Sequence, residues 1–142
     1  MNLLNYHSVN SRYRPSNRET ISRWLINVAK KEKKVIGAIS VIFCSDDYLL
    51  WCNQKYLRHN YYTDIITFDY CKANTLNGDL FISHDRIKYN AQKYKRPINE
   101  ETRRVILHGL LHLCGYDDKT REKKVIMKDK ENFYLVQFYR FA

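Results

Sequence analysis

Two histidines four residues apart, His108 and His112, are the residues of this sequence best placed to do chemistry. Positions i and i+4 of a helix project from the same face, so both imidazoles can bind one metal ion. Gly115 follows and permits a sharp reversal of the chain. The reversal can bring Asp117 or Asp118 to the same ion. The spacing H-x3-H-x2-G-x2-D therefore predicts a metal site with two imidazole ligands and one carboxylate ligand.

Register distinguishes the two aspartates. Asp118 stands where the similar spacing of the metzincin proteases places its third ligand, so we predict Asp118 and not Asp117. Such a donor set suits zinc, and its carboxylate also suits manganese or iron. Metzincins carry a general-base glutamate directly after the first histidine, whereas this sequence has Gly109. A peptidase of that kind is therefore a disfavoured alternative.

The charge of the chain points to a polyanionic partner. There are 25 lysines and arginines against 15 aspartates and glutamates, which gives a net charge of +10. A positive field of this kind concentrates polyanions, above all nucleic acid, and the 12 tyrosines add surfaces on which bases can stack. Charge alone does not distinguish RNA from DNA or from an anionic membrane surface.

The elements that must position these residues follow from periodicity and capping residues. The predicted strands are Leu3–Val9, Val35–Cys44, Ile65–Tyr70 and Asp79–Ser83. A loop or wide turn is predicted at Cys71–Gly78, where Asn77-Gly78 is a turn signal. Helices are predicted from a cap at Ser16 or Asn17 to the lysines at 30–34, over Asp46–Leu57 after a Ser45 cap, over His84–Lys95, from an Asn99 cap to Gly115, and over Thr120–Phe138. We therefore predict one α+β domain over residues 1–142, a small mixed sheet of about four strands with helices packed on it.

The sequence also indicates where the protein works. Its four cysteines form no C-x-x-C pair, so we expect reduced thiols. The first ten residues lack the basic and apolar regions of a signal peptide, and Val35–Cys44 is too short an apolar stretch to span a bilayer. We therefore expect a cytoplasmic protein with no membrane partner.

Three sequence blocks resemble one known family. Residues 108–118, H-G-L-L-H-L-C-G-Y-D-D, are similar to the H-G-x-L-H-L-x-G-Y-D-H signature of the YbeY family of metal-dependent endoribonucleases and rRNA maturation factors. Residues 53–58 with 63–68 resemble the N-x-x-Y-R and T-D-V-L-S-F elements of that family, and residues 78–83 resemble its G-D-I-x-I-S strand. The blocks follow the family's order. One position departs from it, because Asp118 stands where the family has its third histidine.

The resemblance carries its own expectations. It implies one zinc ion per chain, a zincin-like fold, and cleavage of single-stranded RNA. It also implies work on ribosomal RNA, including the 3′ end of the small-subunit RNA, in ribosome biogenesis and quality control. RNA and the small ribosomal subunit are the partners that it implies.

Arg58 is the catalytic residue that the resemblance implies, because it matches the arginine of the N-x-x-Y-R element. A guanidinium can hold two phosphate oxygens and stabilise charge that grows in the transition state. The alternative is a surface arginine at a helix end. Thr63, Asp64 and Asp79 are weaker candidates, either for shaping the strand edge or for orienting a histidine.

His59 and His84 are expected to be solvated or structural rather than catalytic.

One other function stays open from the sequence besides the disfavoured peptidase. An RNA-binding assembly factor with a purely structural metal is the main alternative function. Structural zinc sites usually have four protein ligands, and only three can be named here, which disfavours that alternative.

Overall fold

A four-stranded mixed sheet forms the centre of the fold. The computed structural model describes residues 4–142. The strands are β1 (Leu4–Val9), β2 (Val35–Cys44), β3 (Ile65–Asp69) and β4 (Thr75–Ser83), in the spatial order β1-β2-β4-β3. β2 runs parallel to both β1 and β4, and β3 pairs antiparallel with β4. The predicted α+β class and its single mixed sheet are confirmed.

Five α-helices pack against this sheet and against each other. They are α1 (Arg18–Lys31), α2 (Asp46–Leu57), α3 (His84–Lys93), α4 (Ile98–Leu113) and α5 (Arg121–Gln137), followed by a short 3-10 helix at Phe138–Arg140. The side chains of Ser45, Ser83 and Thr120 accept hydrogen bonds from the third residue of the helix that each one precedes. The Ser45 cap is confirmed. The Asn99 cap is wrong, because α4 already begins at Ile98 after Pro97.

The two faces of the sheet are covered by different helices. One face carries α1 and α4, whose buried side chains include Trp24 and Ile106. The Trp24 indole donates a hydrogen bond of 2.9 Å to the carbonyl oxygen of Tyr134, which ties α5 to this core. The other face carries α2, which packs Leu49 and Cys52 against the sheet. β2 is therefore covered on both sides, as its continuous apolar sequence predicts.

The predicted loop at Cys71–Gly78 is too long, because β4 already begins at Thr75. Gly78 lies inside the strand rather than in a turn. A Cβ atom there would lie 2.5 Å from the carbonyl oxygen of Phe68 and 3.0 Å from the side chain of Leu113. The absence of a side chain at Gly78 therefore allows β3, β4 and α4 to approach each other closely. The turn that Asn77-Gly78 indicates in the sequence is not formed.

A second glycine brings α4 close to the sheet. A Cβ atom on Gly109 would lie 2.7 Å from Ile65 Cδ1 and 3.0 Å from Leu80 Cδ2. Gly109 follows His108, so the helix is pressed onto β3 and β4 next to the predicted ligands. The residue that a metzincin would use as a general base is here a packing position.

Three further expectations concern the first strand, the cysteines and the helices. Leu3, the first residue of the predicted first strand, lies outside the described residues. All four cysteines are free thiols, as predicted. Within the described part of the chain, every helix is too short or too polar to cross a bilayer.

Candidate metal centre

The structure brings His108, His112 and Asp118 together at the C-terminal end of α4. The two Nε2 atoms lie 2.9 Å apart, and Asp118 Oδ2 lies 3.3 Å from His108 Nε2 and 4.0 Å from His112 Nε2. Ligand atoms 2.0–2.1 Å from a tetrahedral zinc ion are separated by roughly 3.3 Å. The three observed separations bracket that value, so this donor set fits one zinc-sized ion.

The reversal after α4 delivers the aspartate. Gly115 has a φ of +107°, which a glycine adopts without the penalty of a side chain. Its backbone N–H donates to the His112 carbonyl oxygen at 3.0 Å, and the Tyr116 N–H donates to the Leu111 carbonyl oxygen at 3.1 Å. These bonds close the helix and turn the chain back, so Asp118 comes to lie beside both imidazoles.

Glu131 of α5 orients His108. Its Oε2 lies 2.6 Å from His108 Nδ1, and its other oxygen accepts from the Arg104 guanidinium at 2.9 Å. The Glu131 side chain is only 9% exposed. A carboxylate beside Nδ1 keeps the proton on that nitrogen and leaves the Nε2 lone pair for a metal.

A backbone carbonyl does the same for His112. His112 Nδ1 lies 2.9 Å from the carbonyl oxygen of Tyr116, which can only accept a hydrogen bond. The His112 proton therefore belongs on Nδ1 as well. Both imidazoles present Nε2 toward the same point, which is the arrangement that metal-binding histidines adopt.

The two histidines differ in their affinity for protons. Burial alone would lower the His108 pKa, but the hydrogen bond and charge of Glu131, with the nearby Asp64 and Asp118, raise it above its ordinary value. The His112 pKa is lowered, first by burial and then by the adjacent His108. The His108 imidazole therefore binds a proton more readily than the His112 imidazole.

Asp117 is engaged elsewhere. Its carboxylate accepts from the Lys119 backbone N–H at 3.0 Å and from the Lys123 ammonium at 3.0 Å. These contacts lower the Asp117 pKa, the backbone hydrogen bond most of all. The structure therefore places Asp118, and not Asp117, beside the histidines.

Two clefts open on either side of the three donors. One of about 490 Å³ lies against β3 and the segment after α2, and it is lined by His112, Asn53, Thr63, His59 and Lys119 among others. The other, of about 400 Å³, lies between α3, α4 and α5, and its lining includes His108, Asp118, Asp64, Arg104 and Lys128. We name them the His112 cleft and the His108 cleft. A chain-like substrate can reach the donors from both sides.

Comparison with known proteins identifies the family. The family model described as Endoribonuclease YbeY matches residues 4–139. The chain belongs to the YbeY family. The Endoribonuclease YbeY of Bacteroides thetaiotaomicron is 51% identical over 115 residues, which cover 81% of this chain and 83% of that protein. The protein of the same name from Karelsulcia muelleri is 46% identical over 133 residues, 94% of each chain.

A solved structure shares the fold. The solution structure of TM1509 from Thermotoga maritima superposes with a TM-score of 0.68 over 96% of this chain and 89% of that one. The two sequences are 21% identical, so the likeness concerns the path of the chain.

Arg58, the expected catalytic arginine of the YbeY pattern, ends α2 in the left-handed conformation, with φ 57° and ψ 30°. Its side chain is exposed, and it has no hydrogen bond or ion pair within residues 4–142. The residues on either side of it, Leu57 and His59, line the His112 cleft. Asn53, the first residue of the same motif, is buried and donates to the Tyr61 carbonyl oxygen at 2.9 Å, which holds the segment after α2 in place.

The weaker candidates are distributed around the centre. Thr63 lines the His112 cleft and Asp64 lines the His108 cleft. The Asp64 pKa is raised by burial, although the neighbouring His108 acts in the opposite direction. Asp79 accepts a hydrogen bond from the Tyr70 hydroxyl at 3.3 Å and lines neither cleft.

The two other histidines pack against tyrosines. His84 stacks on Tyr13 with ring centres 4.1 Å apart. His59 stacks on Tyr61 at 5.2 Å and bonds its hydroxyl at 3.0 Å, and it also lines the His112 cleft.

Glu131 and Arg104 are the parts of the centre that sequence reasoning missed. A signal for Glu131 was present, because Met127, Glu131 and Tyr134 follow helical spacing and all three are buried in α5. An acidic side chain inside an otherwise apolar stripe of a helix needs a buried partner, because a buried charge without a partner is costly. The sequence did not indicate that this partner was His108 with Arg104.

Proposed function

We propose that this chain is a metal-dependent endoribonuclease that cleaves single-stranded RNA and holds one zinc ion on His108, His112 and Asp118. The observation that carries the proposal is the convergence of two Nε2 atoms and one carboxylate oxygen, with each Nδ1 already occupied. The names of the relatives supply the reaction class. Residues 1–142 form one catalytic domain in this proposal.

A catalytic role for the metal is favoured over a structural one. Across the part of the chain that the structure describes, this group has three donors and no fourth His, Cys, Asp or Glu. Three protein ligands leave a coordination position for substrate, whereas structural zinc sites are usually closed by four. A zinc ion held there supplies a Lewis acid that polarises a phosphodiester oxygen.

The protein's own groups have separate tasks in this proposal. Glu131 and the Tyr116 carbonyl hold the two imidazoles in the tautomer that binds metal. Arg58 is the catalytic cation in this proposal, because its side chain has no ion pair within residues 4–142 and its neighbours Leu57 and His59 line the His112 cleft. Its guanidinium can bind two phosphate oxygens. Lys119 lines the same cleft and adds positive charge where the RNA backbone would enter.

The cellular substrate is ribosomal RNA in this proposal, including the 3′ end of the small-subunit RNA, and the partner is the small ribosomal subunit. The family pattern motivates this choice, and the net charge of +10 favours a polyanion. The activity then belongs to the cytoplasm, in rRNA processing and ribosome biogenesis.

One experiment tests the reaction class. Protein purified without chelator is analysed for metal and incubated with single-stranded RNA and with casein. We expect about one zinc ion per chain, cleavage of RNA and none of casein, with loss of metal and cleavage in the His108→Ala, His112→Ala double variant. His7→Ala is the matched control, because His7 is exposed on β1 outside the centre. A double variant that keeps full metal content and RNA cleavage would contradict the proposal. Manganese or iron found in place of zinc would change the identity of the proposed metal and leave the ligand set as it is.

A further inference from the structure

Aromatic rings and cations alternate along α3 and its flanking segments. Arg86 Cζ lies 5.0 Å from the centre of the Tyr62 ring and 5.6 Å from that of Tyr89. Lys93 Nζ lies 6.0 Å from the Tyr89 ring and 5.3 Å from the Tyr94 ring. Arg96 Cζ lies 5.3 Å from the Tyr94 ring. We call this set the α3 row: Tyr62, Arg86, Tyr89, Lys93, Tyr94 and Arg96.

The rings of the α3 row are available to a ligand. Tyr62, Tyr89 and Tyr94 are 47%, 48% and 52% exposed. Neighbouring cations hold each ring in place without covering all of it. Half-exposed, fixed rings of this kind are the platforms on which unpaired bases stack.

Helical spacing places the row on the solvent side of α3. Arg86, Tyr89 and Lys93 follow each other at i, i+3 and i+7, so they share one face. The opposite face carries Ile87 and Ala91, which are buried in the core. The row is therefore an outward surface and not a byproduct of core packing.

The cations of the row have two different roles. Arg86 pairs with Asp46 and Arg96 pairs with Glu101, each at 3.1 Å, so both guanidiniums are held as flat supports for the rings. Lys93 has no carboxylate partner within residues 4–142 and is exposed. Its unpaired charge is what attracts an anionic backbone to the row.

The row leads directly to the proposed catalytic centre. Tyr94 and Arg96 line the His108 cleft together with His108 and Asp118. The facing wall of that cleft carries two exposed lysines of α5, Lys124 and Lys128. A strand that lies on the row can therefore continue along this cleft, past Lys124 and Lys128, to the metal donors.

We propose that the α3 row is the surface that holds the RNA strand on one side of the cleavage site, and this inference rests on the proposed function. Bases stack on the exposed tyrosines, and the backbone passes Lys93 into the His108 cleft. The occupant is single-stranded, because paired bases are not free to stack on side chains. Ring stacking and phosphate charge do not detect the 2′-hydroxyl, so single-stranded DNA binds the row without being cut.

The rings are tested with a Tyr89→Leu, Tyr94→Leu double variant of the metal-loaded protein. Leucine keeps apolar bulk but removes the stacking face. Cleavage of a 12-nucleotide RNA gives kcat and KM, and anisotropy with a labelled DNA of the same length gives Kd. We expect KM and Kd to rise by at least about tenfold, with kcat and zinc affinity within about twofold of the parent. The matched control is Phe133→Leu, Tyr139→Leu, which removes two rings of similar exposure from α5 and the helix after it.

The charge is tested with Lys93→Gln against Lys30→Gln, an exposed lysine on α1. For single strands, each lost phosphate contact lowers the slope of log Kd against log salt by about 0.7. We expect that decrease for Lys93→Gln and none for Lys30→Gln. Duplex RNA is expected to compete poorly with the single strand.

Three outcomes would overturn the inference. The first is that the parent cleaves RNA and the Tyr89→Leu, Tyr94→Leu variant keeps the parental KM and Kd. The proposed function would then stand, but the α3 row would not be the surface that holds the RNA. The second is an equal loss in the Phe133→Leu, Tyr139→Leu control. The third is duplex RNA that binds the row as tightly as the single strand. A parent that binds single strands through the row but cuts none contradicts the proposed function alone.

Discussion

At the scale of single residues, the chemistry of the centre depends on which nitrogen of each imidazole carries the proton. Glu131 and the Tyr116 carbonyl both act on Nδ1, so the two Nε2 atoms are the free donors. Asp118 is then the group that completes the set. Asp118 and Glu131 can each be tested by a substitution that leaves the other in place.

Asp118→Ala is expected to weaken zinc binding by more than the ~10–100-fold that follows loss of a residue behind a ligand. Asp117→Ala should weaken it less, because Asp117 bonds Lys119 and Lys123 instead. Asp118→His should bind zinc at least as tightly as the parent and shift preference away from manganese, since imidazole is the softer ligand. Competition titration with a zinc-sensitive dye measures all three. A larger loss in Asp117→Ala than in Asp118→Ala would place the ligand one residue earlier.

Arg58→Ala is expected to lower kcat for RNA cleavage by ~10²–10³, the usual loss for one transition-state donor. Its zinc content and melting temperature should stay at the parental values, because the Arg58 side chain is exposed and forms no hydrogen bond or ion pair within residues 4–142. Arg58→Lys serves as the companion variant, since it keeps the charge but not the two-pronged geometry. Unchanged cleavage by Arg58→Ala would remove this residue from the site.

Glu131→Gln is expected to weaken zinc binding by ~10–100-fold, because a neutral amide holds the His108 proton less strongly. The matched control is Glu101→Gln, which removes the carboxylate of the comparable Arg96–Glu101 pair at the start of α4 without touching a histidine. Isothermal titration with zinc compares the two. Equal losses in both variants would mean that Glu131 contributes only packing and charge balance to α4.

At the scale of elements, the half-buried carboxylate of Glu32 ties three parts of the chain together behind the centre. Glu32, at the end of α1, accepts from the Tyr116 hydroxyl at 2.6 Å and from the Lys130 ammonium at 3.1 Å, and Tyr134 also donates to it. Tyr116 holds His112 through its carbonyl, and Lys130 precedes Glu131. The contacts of Glu32 therefore fix the two elements that orient the histidines.

Glu32→Gln tests this connection through the pH dependence of stability. Burial alone would raise the Glu32 pKa, yet its three hydrogen bonds together hold it below the ordinary value of 4.5. A carboxyl group whose pKa is lower in the folded state than in the unfolded state stabilises the fold at pH values above its unfolded-state pKa. That stabilisation is lost as the pH falls through the folded-state pKa. We expect the variant to lose about 1–3 kcal/mol of unfolding free energy near pH 7, with the difference shrinking below about pH 4.5.

Urea denaturation across that pH range measures the effect. Glu122→Gln, an exposed acid in the first turn of α5, is the control and should differ little from the parent at any pH. A Glu32→Gln difference that does not shrink at low pH would show that the charge of Glu32 is not the stabilising feature.

The elements themselves were largely predictable, because helix periodicity and capping are local signals. The Ser45 cap and the strand at Val35–Cys44 appear as the sequence indicates. The errors have long-range causes. The predicted start of β4 was wrong because Gly78 is required by the close approach of Phe68 and Leu113. The residues next to Gly78 in the sequence do not indicate these contacts.

The same contrast applies to the candidate site. His108, His112 and Asp118 come together through one helix and one reversal, so their spacing alone was enough to predict the grouping. The approach of Glu131 depends on how α5 docks on α4, and the contact of Arg104 with it depends on the same docking. No local pattern encodes that arrangement.

At the scale of the whole molecule, the three donors join the end of α4 to the segment that leads into α5. A ligand that binds only the folded arrangement stabilises it by mass action, by about 2.7 kcal/mol at a concentration 100 times Kd. For a chain of this size, we expect zinc to raise Tm by roughly 5–10 °C. Differential scanning calorimetry with and without chelator measures the shift, and the His108→Ala, His112→Ala variant should show none. A parent protein whose Tm does not change with zinc would contradict a metal site that exists only in the folded chain.

The position of Glu131 has a consequence for the order in which the protein becomes competent. Glu131 lies 23 residues after His108, so His108 is synthesised before the carboxylate that orients it. At 5–20 residues per second, that delay is roughly 1–5 seconds. A growing chain therefore contains His108 for several seconds before it contains Glu131. We expect the chain to bind zinc tightly only once α5 has been synthesised and has docked on α4.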